Sequence, residues 1–329
     1  MNVDMLCETF FASASVCSDT VRLRVAFKSA GFLKRFLELA MQLTDYIILK
    51  FSASGLRAQA MDAPRNVSLL SIELHASDRE IFTQFCYDAG PRETDLYVNL
   101  TSMLSALLLP AGSDSCVTIT YDSGARPDVL RVICQDRTSV SDVSLHLMKA
   151  PDNALFLDTS TSYYTQDAIV DARDLGDHIL NLSKITPQVC VYVDPDSSLL
   201  VLRATNDSVS YEFNEGCRDI EEASVSLTLQ TQSITITDAP NEDPSASEDT
   251  IETLDIIDKQ GGTRRVSYDS LHLVTITRAA AIIAEKVTSC AIPATVTLKI
   301  PPRENPLCAE YSLGVSSRLQ YFMAPFITE

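Results

Sequence analysis

Hydrophobic and polar positions change their period repeatedly along the chain, and each change marks an element. Val21 to Phe27 alternates, with Val21, Leu23, Val25 and Phe27 pointing one way, as a half-buried strand does. From Ala30 to Leu43 the spacing becomes helical. Leu33, Phe36, Leu37 and Ala40 share one face, and Arg35, Glu38 and Gln42 share another. Phe51 to Leu74, FSASGLRAQAMDAPRNVSLLSIEL, then reads as a strand, a Ser-Gly turn, a second strand, a corner at Met61-Asp62-Ala63-Pro64 and a third strand from Val67. The unit is therefore strand, helix, strand, turn, strand.

That unit recurs three times. Asp95 to Leu100 is a short strand, Thr101 to Leu109 a helix stopped by Pro110, and Cys116 to Cys134 a hairpin through Asp122-Ser123-Gly124. Ala168 to Val170 leads into a helix from Asp171 to Lys184, with Leu175, Ile179 and Leu182 on one face. The hairpin Val189 to Thr205 follows, turning at Asp194-Pro195-Asp196. Leu271 to Ile276 reads as a strand leading into a helix from Arg278 to Val287, and Ala294 to Leu313 as a hairpin across Pro301-Pro302-Arg303-Glu304. Four copies, two on each side of the middle, point to an internally duplicated α+β chain.

At 329 residues the chain can bury two ordinary cores, and an apolar share of 46% excludes wholesale disorder. Its formal charge of −18 is the puzzle. A protein gripping nucleic acid over its whole surface is expected to be basic, so this charge alone favours an acidic enzyme or a scaffold. Nine cysteines without a close C-x-x-C pair read as reduced thiols of an intracellular protein. Asp4 and Glu8 argue against a secretory signal, and no apolar run approaches the roughly 20 residues that span a bilayer. His75, His146, His178 and His272 have no Cys partners at ligand spacing, so no metal is expected. Nucleotide-binding glycine loops and H-E-x-x-H are absent, and Glu221-Glu222 or Asp255 with Asp258 read as solvated faces. The chain is expected to be no enzyme and to carry no cofactor.

Five segments in order resemble the proliferating cell nuclear antigen family of eukaryotic DNA sliding clamps. They are FSASGLRAQAMD, VNLTSM at Val98 to Met103, SDVSLHLM at Ser141 to Met148, ATVTL at Ala294 to Leu298 and LQYFMAP at Leu319 to Pro325. The resemblance implies a DNA-clamp fold: two similar domains per chain, each with two helices lining a central hole and antiparallel sheets outside. It implies a nuclear homotrimer encircling double-stranded DNA, a processivity factor for DNA polymerase and a platform for replication and repair. A ring resolves the charge puzzle, because enclosure needs only a modest positive lining.

By that resemblance, Lys28, Lys34, Arg35, Arg173, Lys184, Arg278 and Lys286 face the DNA. Met61, Val67, Leu155, Leu157, Pro306, Phe322, Ala324, Pro325 and Ile327 build a pocket for docking peptides of polymerase, ligase and nuclease. Ring closure would pair Ser139 to Met148 of one chain with Ser208 to Asn214 of the next, through Ser139, Val143, Leu145, Leu147, Ser208, Val209 and Tyr211. An ATP-driven clamp loader would be a separate protein. The expected parts are an extension at 1–20, a first domain at 21–149, a connector at 150–166 and a second domain at 167–329.

The sequence departs from the family at several points. Thr101 to Leu109 carries no charge where lysines are usual, Val143 stands where an aromatic is frequent, and Asn66 stands near a usual histidine. Asp194 to Ser198 lacks the lysine modified during damage tolerance. Within the connector, Leu155-Phe156-Leu157 is an apolar island that either docks partners or pins the connector to the sheet beneath. The added segment 231–268 is strongly acidic between Asp238 and Asp258, and its flanks, Ser233 to Thr237 and Arg264 to Tyr268, alternate as a hairpin would. Two other readings stay open: a subunit of a heterotrimeric checkpoint clamp, and a scaffold that binds partners without encircling DNA.

Overall fold

In a computed structural model of the chain, each of the four helices among the described residues starts where a strand ends, at a side chain that accepts from the helix's first free amides. The described residues are 20–62, 67–89, 92–108, 115–150, 156–157, 159, 164, 166–194, 199–205, 209–216, 233–236, 266–287, 295–301 and 305–325. Strand β1 (Arg22–Phe27) buries Leu23, Val25 and Phe27, and Ser29, in an extended conformation, accepts from Phe32 N to open α1 (Ala30–Ala40). After β6 (Thr94–Asn99), the Asn99 amide oxygen accepts from Ser102 N at 2.9 Å to open α2 (Leu100–Leu108). After β10 (Gln166–Asp171), Asp171 Oδ1 accepts from Arg173 N and Asp174 N at 2.8 and 3.1 Å to open α3 (Ala172–Leu182). After β15 (Val266–Asp269), Asp269 Oδ1 accepts from Leu271 N at 2.8 Å to open α4 (Ser270–Val287).

The last of these corrects the sequence reading. Leu271 to Ile276 is the beginning of α4, and the strand before it is β15. Its β-branched residues favour a strand locally, but burial of Leu273, Ile276 and Ala279 at three-residue spacing is helical. Thr275 and Thr277 satisfy their hydroxyls by donating to the carbonyls of Leu271 and Val274, at 3.2 and 2.8 Å.

The chain forms two compact units, and the first gathers residues up to Thr159 with Tyr311–Tyr321 and Ile282–Ser289. One of its sheets runs β5 (Phe82–Asp88), β1, β7 (Cys116–Asp122), β8 (Val129–Gln135) and β9 (Val140–His146), antiparallel throughout. In the other, β18 (Arg318–Met323), β4 (Ser68–His75), β3 (Gly55–Met61), β2 (Tyr46–Ser52) and β6 lie side by side. Helices α1 and α2 pack together, and α2 also reaches β8 and β9. Leu33, Phe36 and Leu37 of α1 and Leu100, Met103, Leu104 and Leu107 of α2 supply the buried faces. Strand β18 lies beside β4, and its residues up to Tyr321 fall in the first unit.

The second unit holds β11 (Gln188–Asp194), β12 (Leu199–Thr205), β13 (Val209–Gly216) and β14 (Ser233–Ile236) in a sheet ordered β14-β13-β12-β11-β15. Beside it, β10, β16 (Thr295–Ile300) and β17 (Leu307–Ser312) are neighbours in that order. A Cβ on Gly176 of α3 would stand 3.3 Å from Thr277 Cβ of α4, so the absent side chain permits a close helix approach. The expected hairpin from Ser233 to Thr237 and Arg264 to Tyr268 does not form. β14 pairs with β13 and β15 with β11, at opposite edges of one sheet, because Tyr268 is buried opposite Val189.

Gly55, the first residue of β3 after the turn from β2, has φ +152°, and a Cβ there would stand 2.0 Å from the Leu74 carbonyl oxygen. Gly55→Ala is expected to destabilise the protein by about 1–3 kcal/mol or more through backbone strain and this clash, measured by urea unfolding.

Candidate functional site

The outer face of β3 is built by alternation: Leu56, Ala58 and Ala60 are buried, and Arg57, Gln59 and Met61 share the other face. Gln59, itself buried, donates through Nε2 to the Leu157 carbonyl and accepts through Oε1 from Leu157 N, both at 2.8 Å. Its Nε2 also lies 3.3 Å from Ser71 Oγ. The amide thus holds one connector residue as a neighbouring strand would. Phe156 lies over Arg57, so the connector follows β3 in the same direction. Two residues on, Thr159 Oγ1 donates to Gln320 Oε1 of β18 at 3.3 Å. The connector is pinned to the sheet, and Gln59 is the residue that sequence reasoning missed. Its only signal is a polar residue between Arg57 and Met61 on the outward side of a strand.

Met61, Val67 and Leu157 are half-buried and lie in the first unit. Within the second unit Pro306 is exposed, Phe322 is buried, and Ala324 and Pro325 are half-buried. Leu155 and Ile327 lie outside the described residues.

Among the basic candidates, Lys34 and Arg35 share the outward face of α1 with Gly31 and Glu38, and Lys34 pairs with Glu38 at 3.8 Å. Lys28 is exposed just before the Ser29 cap. Arg173 is exposed on α3 beside Asp174 and Asp177. Burial pushes the neighbouring His178 below the ordinary imidazole range, against the pull of those two carboxylates. Lys184 is not on the helix as expected: α3 closes at Leu182 with a Ser183 cap, and Lys184 Nζ donates to Asn181 Oδ1 at 3.2 Å. Arg278 is exposed on α4, and Lys286 lies in its last turn. α2 is uncharged; its outward residues are Thr101, Ser102, Ser105 and Leu108, the last 58% exposed.

At the expected subunit junction, β9 is the last strand of its sheet. It is launched by Asp136, whose carboxylate accepts from the amides of Thr138 and Ser139, at 2.6 and 2.5 Å, and from both their hydroxyls. Ser139 is therefore engaged in the turn. Val140 is 64% exposed and Val143 half-buried, but Leu145 is buried in the core. Leu147 is half-buried and donates its amide to Asp128 O at 2.8 Å. β13 does not offer the bare edge expected of it. Val209 and Tyr211 lie opposite Ile236 and Ile234 of β14, which covers that side as far as Glu212. Ser208 lies outside the described residues.

Residues 22–153 match the family described as proliferating cell nuclear antigen, N-terminal domain. This part of the chain belongs to the proliferating cell nuclear antigen family. The match spans β1 to β9 with α1 and α2, and supports a function of the sliding-clamp kind. A search of curated proteins returned no match to the chain. Within this clamp-family domain, no His, Cys, Asp and Glu cluster could hold a metal ion among the described residues. No helix there is long and apolar enough to cross a membrane.

Strand β9 is held by carboxylates with lowered affinity for protons. Arg131 donates through Nε to Asp142 Oδ1 at 2.7 Å and through Nη2 to Oδ2, which holds the Asp142 carboxyl below its usual range. The backbone amides of Thr138 and Ser139 do the same for Asp136. Both groups titrate lower folded than unfolded, so their stabilisation is complete above the ordinary carboxylate pKa of about 4 and fades as pH falls through the folded value. Asp142→Asn is therefore expected to cost about 0.2–1 kcal/mol near neutrality, and the two proteins should converge in thermal unfolding as pH falls below the ordinary carboxylate range.

Proposed function

We propose that the protein is a DNA sliding clamp: three identical subunits closed into a ring around duplex DNA. The ring would keep a polymerase on its template and dock replication and repair proteins in the nucleus. The match of residues 22–153 to the clamp family carries this reading. Strand β9 supports it, being a sheet edge with an exposed Val140, the kind of edge that a second chain can extend by backbone pairing. In the assembled ring β9 of one copy meets the β14 and β13 side of the next copy's five-stranded sheet. Lys28, Lys34, Arg35, Arg173, Lys184, Arg278 and Lys286 are the cations available to the DNA. Met61, Val67, Leu155 and Leu157, with Pro306, Phe322, Ala324, Pro325 and Ile327, are the apolar groups available to a docking peptide. A clamp of this kind does no chemistry itself, and ring opening falls to a separate ATP-driven loader.

One observation favours a second reading, a scaffold that binds partners without enclosing DNA: β14 already occupies the outer side of β13 over Val209–Glu212. Native mass measurement at micromolar concentration is expected to give a homotrimer. With its loader, the protein is expected to stay on nicked circular DNA and to leave when the circle is cut. Monomer alone, or retention that ignores linearisation, would sink the clamp reading in favour of the scaffold.

The uncharged outward face of α2 and the Lys34–Glu38 pair leave few cations for phosphates. The unloaded ring is therefore expected to show a shallow dependence of DNA affinity on salt. Thr101→Lys should steepen the log–log slope and Arg35→Ala should flatten it, by about 1 for each phosphate newly engaged or released, read by fluorescence anisotropy.

A further inference from the structure

The outer face of the sheet β6-β2-β3-β4-β18 carries a row of charges in register. Asp95 faces Lys50, Lys50 faces Arg57 and Arg57 faces Glu73. Arg318 Nε donates to Glu73 Oε2 at 2.9 Å. Across the strands, the signs run minus, plus, plus, minus, plus. Lys50 and Arg57 are thus like charges directly opposite one another, an arrangement that costs stability unless something answers it.

Two carboxylates and a ring answer it. Asp95 lies 3.6 Å from Lys50 Nζ. Glu93 bridges both cations, 3.3 Å from Lys50 Nζ and hydrogen-bonded to Arg57 Nη2. The Phe156 ring is the group that meets both cations from the connector, its centroid 4.6 Å from Lys50 Nζ and 5.4 Å from Arg57 Cζ. The Lys50 side chain is only 17% exposed, so its charge meets the ring largely out of water, where cation–π attraction is strongest. A connector needing only reach has no use for an aromatic ring aimed at two cations. The next residue, Leu157, is the one whose backbone the Gln59 amide grips on both sides. With the ring seated, that grip falls at one register along β3.

We propose that the Lys50–Arg57 pair is a seat for the Phe156 ring, and that this seat sets the register of the connector along β3 and so positions the peptide-docking cleft. The proposal rests on the docking reading above. Lys50, Arg57 and Phe156 are positioning residues, acting through Leu157.

The test uses the full chain with Phe156→Leu, which keeps an apolar side chain without a ring, and Phe156→Trp, which restores a ring. Backbone hydrogen exchange at Leu157 is read first. Affinity for a labelled synthetic peptide with apolar and aromatic anchors is read second, with native mass as the control for assembly. Phe156→Leu is expected to speed exchange at Leu157 and to weaken the peptide, each by about 5- to 10-fold, with unchanged mass. Phe156→Trp should stay near wild type in both. Exchange unchanged in Phe156→Leu overturns the seat. Faster exchange with unchanged affinity overturns its role in docking. A wild-type protein that does not bind the peptide refutes the docking reading instead, and is told apart because the exchange measurement needs no peptide.

Discussion

A helix cannot begin without partners for its first amides, and in this chain those partners are side chains at strand ends: Ser29, Asn99, Asp171 and Asp269. Each cap fixes where strand gives way to helix, and thereby which helix residues fall on the buried face. Moving the start of α1 by one residue would rotate Leu33, Phe36 and Leu37 by about 100° away from the core. The repeated order of strand, helix and three strands follows from this shared beginning, and the sheets then take their registers from alternating burial. In β1 that alternation puts Leu23, Val25 and Phe27 inside, with Phe27 packed against Phe82 at 5.0 Å between ring centroids.

Among the described residues, several cations are already answered within the protein. Lys50 and Arg57 belong to Glu93 and Phe156, Arg131 to Asp142, Arg318 to Glu73, Lys299 to Glu310 and Lys34 to Glu38. Together with a net charge of −18, this leaves little for neutralising phosphates. It also makes the outer sheet face a place where aromatic and polar groups can be fixed with little mobility.

The apolar island of the connector shows how pinning and docking coexist. Leu157 is held through its backbone, by Gln59, which leaves its side chain half-buried. Phe156 is held through its ring. One residue is fixed by hydrogen bonds and its neighbour by electrostatics, so the segment is ordered without burying all of its apolar surface.

Much of this was legible in the sequence, because it depends on local periods. The helices from Ala30 and Asp171, the hairpins of Phe51 to Leu74 and Val189 to Thr205, and the fourfold repeat follow from alternation and from turn residues. The ordered motifs from FSASGLRAQAMD to LQYFMAP identified the family that residues 22–153 match. Tertiary structure alone decided what depends on distant partners. It made Leu271 to Ile276 helical against a β-branched run, because the buried face rather than local propensity carries the larger free energy. It set β14 against β13, and it brought Gln59 to Leu157 and Lys50 and Arg57 to Phe156. The contacts of the connector join residues about 100 positions apart in a chain whose periodicity reports only which side of an element is apolar.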